Sequence, residues 1–166
     1  MPLTPFHLGP GLLLGVLTLR FFNFWPILLG SVVMDIEPLI LATRNFVEGC
    51  PGCPDHSFFH SIFGAIVGSL ILATILWKFK VKLNQISLKL KISQPYSFKV
   101  LFSSSLIAWL IHIFFDSLTN FDVFLFWPIK YNPILIGPKV FWSLNFLLLI
   151  FGIIGLILFF KKYARH

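Results

Sequence analysis

Charge is what this 166-residue chain has least of: 11% of its residues are Asp, Glu, Lys or Arg, and only 6 are acidic. A soluble domain carries about 25% charged residues, so an ordinary water-facing domain is excluded. Disorder is excluded too, because disordered chains are rich in charge and poor in aromatics, whereas 17% of these residues are aromatic and 21 are Phe. With 2 cysteines there is no disulfide framework. No internal repeat or low-complexity tract is evident. The opening residues, Met1-Pro2-Leu3-Thr4-Pro5-Phe6-His7, lack a basic region, and no small-residue cleavage site follows the first apolar run. That run is expected to be a retained membrane helix rather than a signal peptide.

What the chain does have is apolar length, at 57% hydrophobic. The expected fold is all-α: a single membrane domain over residues 1–166, an integral membrane bundle of about five transmembrane helices. A span needs about 20 mostly apolar residues to cross roughly 30 Å of hydrocarbon. Five stretches qualify, at about 4–19, 22–42, 57–77, 100–118 and 139–160. The first two are joined tightly at Arg20-Phe21 and form an N-terminal helical hairpin. Pro38 is expected to end or kink the second.

Five spans put the termini on opposite sides. Ten of the 13 Lys and Arg residues (Arg20, Lys78, Lys80, Lys82, Lys89, Lys91, Lys99, Lys161, Lys162 and Arg165) fall on the C-terminal side, against Arg44, Lys130 and Lys139 on the other. Lys and Arg accumulate in cytoplasmic loops, so the N-terminus is expected outside and the C-terminus in the cytoplasm of a cell-membrane protein. The net charge of +7 then serves topology and anionic lipid, not nucleic acid. The basic cytoplasmic loop 78–99 is expected to form a short hairpin or surface helix against the inner leaflet.

The groups that do not belong in a bilayer are His7, Asp35, Glu37, His56, His60, His112, Asp116 and Asp122, and all fall toward the outer side. Ionisable side chains within spans are costly and usually face a bundle interior, where they pair or do chemistry. His56 and His60 are four apart, as are His112 and Asp116, so each pair shares one face of a regular helix. His7, Asp35, His56, His60, His112 and Asp116 are the expected metal ligands. Asp35 and Glu37 are candidates for catalytic base, and Asp122 and Trp127 for substrate binding. Mixed imidazole and carboxylate donors suit a divalent transition metal, zinc first and manganese or iron next, better than Mg²⁺ or Ca²⁺. So many donors exceed one tetrahedral zinc, which allows more than one ion. Trp127-Pro128 within the aromatic stretch 121–142 also fits an interfacial belt. Cys50-Pro51-Gly52-Cys53 has the spacing of a redox pair or half a zinc site, and its expected place outside the membrane favours a local disulfide with a structural role.

Several pieces resemble a membrane-bound metal-dependent hydrolase family that includes LexA-regulated inner-membrane proteins, in particular its archaeal-looking members. They are Thr4-Pro5-Phe6-His7-Leu8-Gly9-Pro10, Leu29-Gly30-Ser31 through Asp35-Ile36-Glu37-Pro38, and His56-Ser57-Phe58-Phe59-His60-Ser61. His112-Ile113-Phe114-Phe115-Asp116-Ser117 and Phe126-Trp127-Pro128 follow in order. The resemblance implies a metal-dependent hydrolase in the membrane. The His-x-x-x-Asp element is also similar to one in zinc phospholipase C and P1-type nucleases, a weaker analogy. Many family members carry Arg after the first of the paired histidines, where this chain has Ser57.

The expected function is hydrolysis of an ester or phosphoester in a lipid-like substrate, with membrane lipids as the surroundings. The alternatives are a metal or proton transport protein and a non-catalytic scaffold. Transport needs polar stations across the membrane, and Leu12–Leu19, Ala65–Leu76 and Phe146–Phe159 offer none that ionise.

Overall fold

The computed structural model describes residues 4–50 and 53–164; Met1–Leu3, Pro51, Gly52, and Arg165 of the basic end lie outside them. Among the described residues seven helices follow in order: α1 (Thr4–Leu17), α2 (Phe24–Gly30), α3 (Ile36–Val47), α4 (Ile62–Lys78), α5 (Lys80–Lys89), α6 (Phe98–Thr119) and α7 (Phe141–Ala164). Short 3-10 turns occupy Val33–Asp35, Phe58–His60 and Pro138–Val140, and there is no strand among the described residues. Helix α1 packs along α7, α4 along α6, and α2 lies against both α1 and α6.

Local chemistry sets the helix starts. Asn23 caps α2 by accepting from the Trp25 N–H at 3.1 Å, while its own amide donates to the Pro95 carbonyl at 2.7 Å. Ser61 caps α4 by accepting from the Gly64 N–H, and Ser97 caps α6 by accepting from the Val100 N–H. Between α4 and α6 lies a core of Met34, Ala65, Leu72, Leu101, Trp109 and Ile113. Outward faces stay apolar, with Phe63 and Leu70 on α4 and Phe146 and Phe160 on α7 exposed. Such a surface suits lipid and not water.

Three helical runs are long and apolar enough to cross a membrane: Phe24–Val47, Phe98–Thr119 and Pro138–Lys162. A fourth forms if α4 and α5, bent by 75° at their junction, count together. That is three to four where the sequence suggests five. The difference lies in α1, whose 14 residues rise only about 21 Å, and in α4, whose 17 residues qualify only together with α5.

Other boundaries also move. The 22–42 stretch is broken after Gly30 and runs on to Val47. The break is not at Pro38, which is the third residue of α3 and sits in a first turn, where a missing N–H costs nothing. It comes at Ser31 and Val32: the Ser31 hydroxyl donates to the Leu28 carbonyl at 2.7 Å, and Val32 leaves helical geometry before the Val33–Asp35 turn. The 57–77 stretch becomes helical only at Ile62, because Ser61 is extended and caps the helix there. Loop 78–99 contains helix α5, with Val81, Ile86 and Leu88 exposed along it.

Candidate metal centre

The site begins with α6. His112 and Asp116 lie one turn apart on it, both fully buried, and His112 Nε2 is 3.0 Å from Asp116 Oδ2. His112 Nδ1–H donates to the Ser31 carbonyl at 2.7 Å. That carbonyl belongs to the break between α2 and the Val33–Asp35 turn. The bond commits Nδ1 and turns Nε2 toward the carboxylates, the orientation a metal-ligating histidine requires. The same break swings Asp35 inward, so that its Oδ1 is 3.1 Å from His112 Nε2.

His60 completes the group from the 3-10 turn before α4. Its Nδ1–H donates to Glu37 Oε2 at 2.9 Å. Its Nε2 faces Asp116 Oδ2 at 3.6 Å and Asp35 Oδ1 at 3.9 Å. Glu37 is itself held, accepting from the backbone N–H of Phe59 at 3.1 Å and of Ser57 at 3.2 Å. Asp35, His60, His112 and Asp116 thus each aim one donor atom into a space where these atoms lie within 4.8 Å of one another. Both Asp35 oxygens, both Asp116 oxygens and both Nε2 atoms are buried without a hydrogen-bond partner. Buried carboxylates are costly unless their charge is met, here by the imidazoles at 3.0–3.6 Å or by a cation held between them. Two imidazoles and two carboxylates make a donor set that could hold a metal ion.

The remaining predicted residues surround this group. His7, at the start of α1, stacks on His112 with ring centroids 3.8 Å apart, and its Nε2 is 3.2 Å from Asp116 Oδ1. His56 does not share a helical face with His60, because neither lies on a regular helix. The rings still meet edge to face at 4.5 Å. His56 Nδ1–H donates to Asp122 Oδ2 at 2.9 Å, and its Nε2 is buried without a partner. Asp122 also accepts from the backbone N–H of Asp55 and His56. Burial alone would raise the Asp122 carboxyl; the His56 ring and the two N–H donors outweigh it and hold it at about 2. Trp127 packs edge-on against Phe58, next to the turn that carries His60.

Three contributors escape a reading of the sequence for ionisable groups. The Ser31 carbonyl orients His112, and only the Gly30-Ser31 pair inside an apolar run hints at it. Trp109 donates its indole N–H to the Phe59 carbonyl at 2.9 Å, pinning the turn beside His60. At Gly64 a side chain would overlap the Phe58 carbonyl, so glycine is what lets the turn fold back on α4. Cys50 and Cys53 are joined by a disulfide with Cα atoms 5.5 Å apart, beyond the C-terminal end of α3.

No curated protein matches this chain, and no solved structure does. A family model does match, over residues 1–165, and that span takes in all four donors of the buried group and the residues that orient them. The chain belongs to the YdjM inner membrane protein family.

Proposed function

We propose that this protein is an integral-membrane, metal-dependent hydrolase acting on an ester or phosphoester of a lipid-like substrate. The observation that carries the reading is the convergence of four buried donors whose outer ring nitrogens are already committed, to Ser31 for His112 and to Glu37 for His60. Asp35, His60, His112 and Asp116 are the ligands of a divalent transition ion, zinc before manganese or iron. A bound ion of this kind supplies Lewis acidity and brings the pKa of a water molecule toward about 7. His7 and His56 stand beside the group as donors for a second ion.

The residues around the centre divide the remaining work. Asp35 and Glu37 are the candidate bases for that water, and Asp35 is the nearer, with its oxygens aimed into the donor space. Glu37 accepts three hydrogen bonds, which suits positioning His60 more than proton transfer. Asp122 holds His56, and Trp127 borders the route by which a substrate head reaches the site. The site faces the outer leaflet, the N-terminus lies outside and the C-terminus lies in the cytoplasm. The excess of Lys and Arg at the far end of the α4–α6 pair supports this orientation.

Elemental mass spectrometry on protein purified without chelator tests the reading. About one or more equivalents of zinc, manganese or iron are expected, lost in both His112→Ala and His60→Ala. A metal-free wild type with equally folded variants would overturn it.

A further inference from the structure

Beside the buried donors, a cleft of about 390 Å³ opens between α3 and α4. That volume falls within the range of about 300–1,000 Å³ in which proteins hold small ligands. Its lining is almost entirely hydrocarbon, and the exceptions, Glu37 and Ser57, sit together at one end. That end adjoins the centre: Glu37 holds His60, and Met34 and Ile36, both lining residues, flank Asp35 in the chain. From there the cleft follows α4 through Gly68 and Ile71 to Ile75. Ile75 is fifteen residues beyond His60, and the thirteen from Ile62 alone rise about 20 Å.

Two features say what fits. The floor is the Trp109 ring, which lies where a side chain on Gly68 would overlap it. The rim is Ile40, Ile71 and Ile75, respectively 60%, 50% and 47% exposed, so the cleft opens sideways into the lipid phase. Water gains nothing from such walls, since almost no polar group answers it. A flexible hydrocarbon chain entering from the bilayer does gain contact on three sides.

We propose that the cleft binds the acyl chain of an amphiphile whose polar head reaches the buried donors at the Glu37 end. This rests on the hydrolase reading for the role of the head, and it assigns that substrate a chain with a fixed seat along α3 and α4. The fit is one of polarity and shape: a polar end at the donors, an apolar body and a lateral door.

The probe is a monoacylglycerol with a diazirine near its chain terminus, in phosphatidylcholine nanodiscs, with adducts mapped by peptide mass spectrometry. Labelling of Ile40, Leu41, Ile71 and Ile75 is expected severalfold above that of Leu149 and Ile154, exposed positions on α7 outside the cleft. Ile71→Trp and Ile75→Trp fill the cleft from the lipid side without entering the core, and each is expected to abolish the enrichment while metal content stays unchanged. Uniform labelling, or enrichment that survives both substitutions, would overturn the proposal. Labelling needs no turnover, and metal is measured on the same sample. Enrichment without bound metal would therefore retire the hydrolase reading and keep the chain seat, and bound metal with uniform labelling would do the reverse.

Discussion

Asp116 divides its two oxygens between different histidines: Oδ1 lies against His7, and Oδ2 against His112 and His60. Among the described residues no other carboxylate lies against three of the imidazoles, and Asp35 faces two. The residues one step out tune what the group does. Glu37→Gln keeps an acceptor for His60 Nδ1–H but removes the negative charge that raises the basicity of Nε2. We expect metal affinity to fall by about 10–100-fold with the fold retained, measured by competition with a chromophoric chelator. Asp122 contributes in a different way. Its carboxyl is held at about 2 in the folded protein against an ordinary 3.8. A depressed pKa means stability that is fully present above the unfolded value and lost as pH falls toward the folded one. The difference in melting temperature between wild type and Asp122→Asn should therefore be constant above about pH 5 and shrink between about pH 4 and 2. A difference that does not vary with pH would mean that folding does not hold the Asp122 carboxyl below its ordinary value.

At the scale of elements, the centre is made by interruptions. One lies between α2 and α3 and supplies the Ser31 carbonyl and Asp35; another precedes α4 and supplies His60. Gly64 controls the second. An added Cβ would stand 2.6 Å from Phe59 Cα, a contact that only backbone movement can relieve. Gly64→Ala is expected to leave helix content by circular dichroism unchanged while weakening metal binding at least as much as Glu37→Gln. This also explains what the sequence could reveal. His112 and Asp116 sit in an unbroken helix, so their spacing of four gave their geometry directly. His56 and His60 have the same spacing, but Ser61 delays the helix start, and they meet through a turn instead. The hairpin of the first two stretches and the apolar nature of the bundle were readable from composition and charge. The break at Ser31 was not, because one hydroxyl bonding a carbonyl three residues back leaves no mark that Pro38 does not outshout. His7 lies on His112 through folding alone, across 105 residues, and no local pattern encodes that.

For the whole molecule, the four donors come from three separate segments of the chain: the break before α3, the turn before α4, and α6. An ion that binds them ties those segments in the folded state and has no such site in the unfolded one. At a free concentration of about 1,000 times its dissociation constant, such a ligand adds about 4 kcal/mol. Chelator should lower the melting temperature of the wild type in detergent and leave that of His60→Ala where it already stands. An equal response in both proteins would place any metal effect elsewhere.

The brevity of two helices bears on the bilayer itself. Helix α1 rises about 21 Å and α4 about 26 Å before its 75° elbow, both less than the roughly 30 Å of a typical hydrocarbon core. Hydrophobic mismatch of this sign draws the leaflets together around the protein. Where α1 and α4 meet lipid, their shorter apolar length would compress the bilayer beside them, so short-chain lipids should relieve the mismatch and long-chain lipids deepen it.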